Sequence, residues 1–395
     1  MSERISKMKI LHISDLHLGK SPFKRDIFSK QQELCLLIAE TVKKYNIGAV
    51  LISGDIYNTT TATASAAVLW DSLTKLLILE CRVPVCVISG NHDGAERLTV
   101  CSDILESCGL TIRGSLNNFD VPVSVGNADI YMLPFFERGH AEAFCGKKFG
   151  SLTEAYDELL NVIRGKMDSS RCNIVMAHCF AAGGVPSKSE SSAEIIFSEA
   201  DASAGAVNAI SPDVFRGFSY AALGHIHKPQ TIKCSDENTI IRYCGTPMKY
   251  SFSEAEQTKS FTIYDTESRS YETVEAKELL KFRIVKGTYE ELKFRASEYG
   301  DDDWVRLELT DDSSGVTGGR LRELYANVMQ ISTADIYTAE ASPTDITAEE
   351  IAELDVGALA EKYMREFWSE EMNDDMRSWL KEAEKALEDE SIHAV

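Results

Sequence analysis

Five short apolar runs in this chain each stop at a cluster of Asp, Asn and His, and that pattern fixes most of what the chain can fold into. The clearest case is 82–93, RVPVCVISGNHD. Residues 83–88 read as a strand covered on both faces, because apolar β-branched side chains fill it without alternation. Gly90 then allows a sharp turn without a Cβ penalty and presents Asn91, His92 and Asp93 at the strand's carboxyl end. In open α/β sheets that edge is where ligands bind. Taken alone, the tetrapeptide reads equally well as a strand-to-helix turn with an N-cap. The other four runs break the tie. Residues 8–13 lead to Asp15-x-His17, 48–53 to Gly54-Asp55, 173–177 to His178, and 220–223 to Gly224-His225-x-His227. Five of the eight histidines fall at these points, a concentration that packing alone does not explain.

Between the runs lie helical patterns. Residues 26–45 place Leu34, Ile38 and Val42 on one face, and a Thr/Ala-rich start at 59–63 supplies N-caps for a helix through Leu79. A further helix is expected over 95–108, stopped by Gly109. This β-α-β-α-β-α order predicts an α/β fold with a central sheet between helical layers. Beyond Asp129 the spacing predicts strands at 130–136 and 173–177 around a helix at 153–167. Strands at 220–223, 239–244 and 260–264 should then close a second sheet. Residues 183–211 are small and polar, a long loop over the site. Near Phe282 the composition shifts to a β-α-β-α-β pattern, and Ser342-Pro343 marks a linker to an acidic helical tail. The expected divisions are 1–281, 282–342 and 343–395.

The net charge of −21 argues at first against a nucleic-acid partner. Its distribution changes that. Residues 1–150 carry 16 basic and 16 acidic side chains, whereas 346–395 carry 5 and 15. An acidic tail leaves a neutral front free to meet phosphates, and Lys20, Lys24, Arg25, Arg97, Lys188, Lys228 and Lys249 lie near the site motifs. No run is long enough for a membrane span, and the start is too short in apolar residues for a signal peptide. The ten cysteines show no CxxC, so a reduced, cytoplasmic setting is expected.

Imidazole and carboxylate together suit Mn, Fe, Zn and similar divalent ions. The single residue inside Asp15-x-His17 and inside His225-x-His227 puts both side chains of each pair on one face of an extended segment. Seven such groups exceed the needs of one ion. Two ions sharing a carboxylate, for which Asp55 is the natural choice, account for all of them.

These motifs, in this order, resemble the calcineurin-like metallophosphoesterases. HISDLHLGK, ALGHIHKPQ and RYCGTPMKYSFSEAE, with the small following segment and the helical tail, look within that group like the SbcD family of bacterial nuclease subunits. The resemblance implies a two-sheet sandwich flanked by helices, a small α/β capping domain and a C-terminal helical segment that docks on an SbcC-like coiled-coil ATPase. It implies one metal on Asp15, His17, Asp55 and His227, and a second on Asp55, Asn91, His178 and His225, with manganese the expected ion. His92 would protonate the leaving oxygen, and Asp93 would orient it. Some relatives carry a second histidine three residues past the bridging Asp, where this chain has Asn58. The implied substrates are double-stranded DNA ends and hairpins, cut by exonuclease and endonuclease action in repair and recombination. The implied assembly is a homodimer formed by the helices at 63–79 and 95–108; Trp70, Leu73 and Leu77 would fit that interface, and core burial explains them equally well. A cyclic-nucleotide phosphodiesterase and a non-catalytic scaffold are the competing readings.

Overall fold

The computed structural model of the chain describes residues 8–185, 209–311 and 317–333. The chain divides into two units, 1–332 and 333–395. The expectations for a loop over 183–211, for Lys188 and for the tail at 343–395 fall wholly or mostly outside the described residues.

Two six-stranded sheets face each other. The first is built from β1 (Lys9–Ile13), β2 (Ala49–Ser53), β3 (Val85–Ile88) and β4 (Leu110–Arg113), all parallel. The second is built from β5 (Val123–Val125), β6 (Ala128–Leu133), β7 (Cys172–His178), β8 (Tyr220–Gly224), β9 (Gln230–Ile232) and β10 (Ile240–Tyr243). Its order is β5-β6-β7-β8-β10-β9, with β6, β7, β8 and β10 parallel. Two further strands, β11 (Ser260–Asp265) and β12 (Ser270–Glu275), join the first sheet, giving β12-β11-β1-β2-β3-β4. Residues 260–264 therefore do not close the second sheet. They return across the sandwich and pair antiparallel with β1, Leu11 opposite Ile263.

Alternate strand residues point to different cores, as a period of two requires. Ile10, Leu51, Cys86 and Ile88 meet Ile130, Met132, Ile174 and Ala222 between the sheets. Leu11, Ile13, Val50, Ile52 and Val87 face outward onto α1 (Phe28–Tyr45) and α2 (Ala64–Lys75), where Leu34, Ile38, Val42, Leu69 and Leu73 cover them. Thr63 caps α2, its Oγ1 accepting from the Ala66 N–H at 3.2 Å. Tyr131, Leu133, Val175 and Ala177 on the far side are covered through Tyr156, Leu159, Leu160 and Ile163 of a helix at Leu152–Arg164. Burial on both faces explains why the strands read as continuous apolar runs.

One helix differs from expectation. Residues 95–108 form two short helices, α3 (Ala95–Leu98) and α4 (Ser102–Glu106), separated at Cys101, whose φ is +61°. The Thr99 hydroxyl bonds back to the Ala95 carbonyl at 2.9 Å, and Thr99-Val100 is a weak helix-forming pair. Among the described residues, the other α-helices of the larger body are α5 (Arg138–Cys145) and α6, the helix at Leu152–Arg164.

A three-stranded sheet follows, β13 (Lys281–Gly287), β14 (Asp303–Leu309) and β15 (Val328–Thr333), with helices α7 (Tyr289–Arg295) and α8 (Thr317–Leu324) between the strands. Val285, Leu292, Val305, Leu307, Leu321 and Tyr325 form its own core. Phe282 and Trp304 instead join Phe23 and Phe252, with the Phe252 and Phe282 ring centroids 5.0 Å apart. An aromatic cluster thus ties the small sheet to the rim of the large sandwich.

Candidate metal centre

The carboxyl ends of β1, β2, β3, β7 and β8 open at one edge of the sandwich, and the polar clusters that follow them meet there. Glycines permit the approach. A Cβ on Gly90 would collide with Asp55, and one on Gly224 would collide with the Ser53 carbonyl and the His178 ring. Main-chain bonds then stitch the loops together. Asp15 N donates to Gly54 O at 2.9 Å and His17 N to Asp55 O at 3.0 Å, while His92 N donates to Asp55 Oδ1 at 3.0 Å. Four of the seven expected ligands hold left-handed backbone: Asp15 (φ +54°), His17 (+42°), Asp55 (+53°) and His225 (+101°). Strain of that kind persists where the surrounding structure enforces it, typically at functional sites.

The structure brings all seven side chains together. His17 Nε2 lies 3.0 Å from His227 Nε2 and 3.8 Å from Asp55 Oδ2. The other Asp55 oxygen, Oδ1, faces His178 Nε2 at 3.5 Å. Asn91 Oδ1 lies 2.9 Å from His178 Nε2 and 3.1 Å from His225 Nδ1. Asp15 accepts from the His225 N–H at 3.1 and 3.2 Å through its two oxygens. Ligand atoms of Asp15, His17 and His227 fall within 4.8 Å of one another, and so do those of Asp15, Asp55 and His178.

The donor set fits cations. His178 Nδ1–H donates to the Ser53 carbonyl at 2.8 Å, which leaves Nε2 with a lone pair aimed at a carboxylate. His227 Nδ1–H donates to Glu254 Oε1 at 3.0 Å, with the same consequence for its Nε2. Burial holds the imidazoles of His17 and His227 below the usual histidine range, which favours their neutral, lone-pair-bearing form. Burial and the adjacent Asp55 push the Asp15 carboxyl well above its usual range. Lone pairs and carboxylates crowded in this way lack the positive charge that divalent ions would bring.

His92 and Asp93 take different parts. His92 Nδ1–H donates to the main-chain carbonyl of Asn58 at 3.1 Å, and its ring stands edge-on to His17 at 5.1 Å. Asp93 is buried, and its oxygens accept from the N–H groups of Ile56 (3.2 Å), Tyr57 (2.9 Å) and Gly90 (2.9 Å). It braces the loop after β2 against the loop after β3. The His92 ring hydrogen bond seen here is the one to the Asn58 carbonyl.

Several participants were invisible in the sequence pattern. Glu254 is fully buried on a short 3-10 turn, Phe252–Glu254, and follows no apolar run. Burial alone would raise its carboxyl, but Lys259, His227 and the Tyr250 N–H outweigh that and hold it down to about 2. Lys259 Nζ, also buried, donates to the His227 carbonyl at 3.1 Å and to Thr246 Oγ1 at 2.7 Å. Of the basic residues expected to meet phosphates, Lys24, Arg25, Arg97 and Lys228 are exposed. Lys20 lies over the Tyr250 ring at 5.2 Å. Lys249 turns inward instead, to Glu278 at 2.6 Å and the Ala255 carbonyl at 2.6 Å.

A sandwich of two mixed sheets, with Asp, Asn and His from five strand ends gathered at one edge, defines a metal-dependent phosphoesterase. The sequence pattern of calcineurin-like phosphoesterases matches residues 8–229, and the chain belongs to that family. It is a metal-dependent hydrolase by that membership, and its ligand cluster suits divalent ions. Among individual proteins, it is 30% identical over 332 residues to the SbcD component of the nuclease SbcCD of Staphylococcus epidermidis, covering 82% of this chain and 85% of that one. The same component from Staphylococcus saprophyticus is 30% identical over 287 residues, covering 72% of this chain and 73% of that one. Among solved structures, a dimetal phosphatase from Danio rerio aligns at 12% identity with a TM-score of 0.41, over 68% of this chain and 98% of that one.

Proposed function

We propose that this chain is the SbcD-like nuclease subunit of a two-component DNA repair and recombination machine, hydrolysing phosphodiester bonds at double-strand ends and hairpins. The observation that carries the reading is the placement of Asp55, whose two oxygens face His17 on one side and His178 on the other. Such a carboxylate suits a shared ligand between two ions, one on Asp15, His17, Asp55 and His227, the other on Asp55, Asn91, His178 and His225. Two divalent ions there, manganese in our reading, would supply Lewis-acid charge and a nucleophilic hydroxide at neutral pH.

The chain's own groups do the rest. His92 gives a proton to the leaving oxygen, and the Asn58 carbonyl holds its Nδ1–H so that Nε2 serves the substrate. General acids of this kind contribute roughly 10²–10⁴-fold. Asn58 itself cannot shuttle a proton, so its carbonyl is its contribution. Lys20, Lys24, Arg25 and Lys228 meet the DNA backbone, and binding through them weakens as salt rises.

We assign the small sheet a capping role over the substrate path, and residues 343–395 the docking of an SbcC-like coiled-coil ATPase. A homodimer forms through α2, α3 and α4. Leu73 and Leu77 are buried in the chain's own core, and Trp70 packs against it. The apolar side chains offered to a second copy are therefore Val68, Leu79, Val100 and Ile104. Ten unpaired cysteines fit a reducing, cytoplasmic setting. Among the described residues, no helix is long and apolar enough to cross a membrane.

The test is a manganese-dependent assay on a labelled hairpin duplex, a linear duplex and a cyclic nucleotide. The hairpin and the linear duplex should be cut and the cyclic nucleotide spared. His92→Ala should lose about 10²–10⁴-fold of cleavage while keeping its metal, whereas Asp55→Ala should lose metal. Preference for the cyclic nucleotide, or equal metal loss in both variants, refutes this reading.

A further inference from the structure

The three buried histidines of the cluster differ in what holds the ring nitrogen turned away from the metal cluster. His178 Nδ1–H meets a neutral main-chain carbonyl, that of Ser53 at 2.8 Å. His17 Nδ1 is buried with no hydrogen-bond partner. Only His227 has a carboxylate there, Glu254 Oε1 at 3.0 Å, among these three. We infer that Glu254 is a positioning residue that fixes the tautomer and aim of His227 and so sets the affinity of one metal position above the other. The inference rests on the two-metal reading.

Glu254 is itself held from several sides. Its Oε2 accepts from the Tyr250 N–H at 2.6 Å, and Lys259 Nζ stands 3.7 Å from Oε1. Lys259 reaches the His227 carbonyl as well, so main chain and ring of the same ligand are gripped by one ion pair. The turn bearing Glu254 is pinned by Phe252 in the aromatic cluster and by Lys249, which donates to the Ala255 carbonyl at 2.6 Å. A carboxylate behind a metal-binding imidazole orients the ring and makes its other nitrogen a stronger donor. His178 receives weaker support from an uncharged carbonyl. The two ion positions consequently differ in strength, and their ligands point the same way: the first has two carboxylates, the second one carboxylate and the neutral amide of Asn91. The strong position is the one holding His17 and His227, on the side of the Lys20 loop.

The experiment is a calorimetric titration of the metal-free, full-length protein with Mn²⁺. The wild type should bind two ions. Glu254→Ala should bind one with wild-type affinity and the other about 10–100-fold more weakly. Glu254→Gln keeps the volume and an acceptor oxygen without the charge, and should fall between them at the same position. In a His227→Ala background, Glu254→Ala should cause no further loss of metal affinity, because the two changes act through one ring. Unchanged affinity at both positions in Glu254→Gln and Glu254→Ala overturns the inference, as does equal weakening of both, which marks a general structural role. A wild type that binds fewer than two ions instead overturns the two-metal reading beneath it.

Discussion

Asp15 and Asp55 share a buried, crowded space, and that crowding makes a measurable difference to the metal-free chain. The Asp15 carboxyl is pushed above its usual range by burial, then by Asp55. A carboxyl raised in the folded state contributes stability below its unfolded value, near 3.8, and loses it as pH rises through the folded value. At neutral pH without metal, the pair therefore works against the fold. Asp15→Asn should melt higher than the wild type in chelator at pH 7, by roughly 2–4 °C for each kcal/mol of repulsion removed. Manganese should then raise its melting temperature less than it raises that of the wild type. Scanning calorimetry with and without chelator reads both, and a lower melting point for metal-free Asp15→Asn would count against this account. The seven side chains that meet at this edge were legible because each follows an apolar run or sits two residues from another of them. Glu254 was not, since nothing in YSFSEAE separates a buried carboxylate from a solvated one. A main-chain carbonyl such as that of Asn58 has no sequence signature at all.

At the level of elements, the loops after β2 and β3 act as one piece because Asp93 takes up three of their N–H groups. Removing that carboxylate leaves buried donors unmet, each costing about 1–3 kcal/mol. Asp93→Ala should lose thermal stability and cleavage together. His92→Ala, one residue away, should lose cleavage with its melting point nearly unchanged. Melting curves beside the hairpin assay separate the two, and a catalytic loss in Asp93→Ala at wild-type stability would assign that carboxylate a direct chemical part. The strands and most helices could be read from periodicity, because burial on both faces leaves long apolar runs. The break at Cys101 could not, since the 95–108 stretch carries no Gly or Pro before Gly109. Nor could the return of β11 to the first sheet, because strand pairing depends on contacts remote in sequence. Short edge strands such as β9, three residues long, gave no periodic signal to find.

For the whole molecule, the small sheet and the large sandwich are joined through Phe23, Phe252, Phe282 and Trp304 and through a ladder of charge. Arg283 pairs with Glu278 at 2.9 Å, and Glu278 with Lys249 at 2.6 Å. Two surfaces then remain for partners in our reading, and they should separate cleanly. Deleting 343–395 should abolish co-purification with an SbcC-like ATPase while leaving the chain's own dimer intact. Ile104→Lys should do the reverse. Sedimentation and pulldown of both variants check this, and a truncated chain that still captures the ATPase moves that interface elsewhere. The proposed ligands are divided between the two sheets. Asp15, His17, Asp55 and Asn91 follow strands of the first, while His178 and His225 end or follow strands of the second and His227 lies just beyond. β11, which completes the first sheet beside β1, is made after all of them. A polypeptide still emerging from the ribosome therefore holds only a partial ligand set until translation has passed His227. On our reading of the centre, newly made protein lacks a complete metal site until β8 and the turn after it have been made.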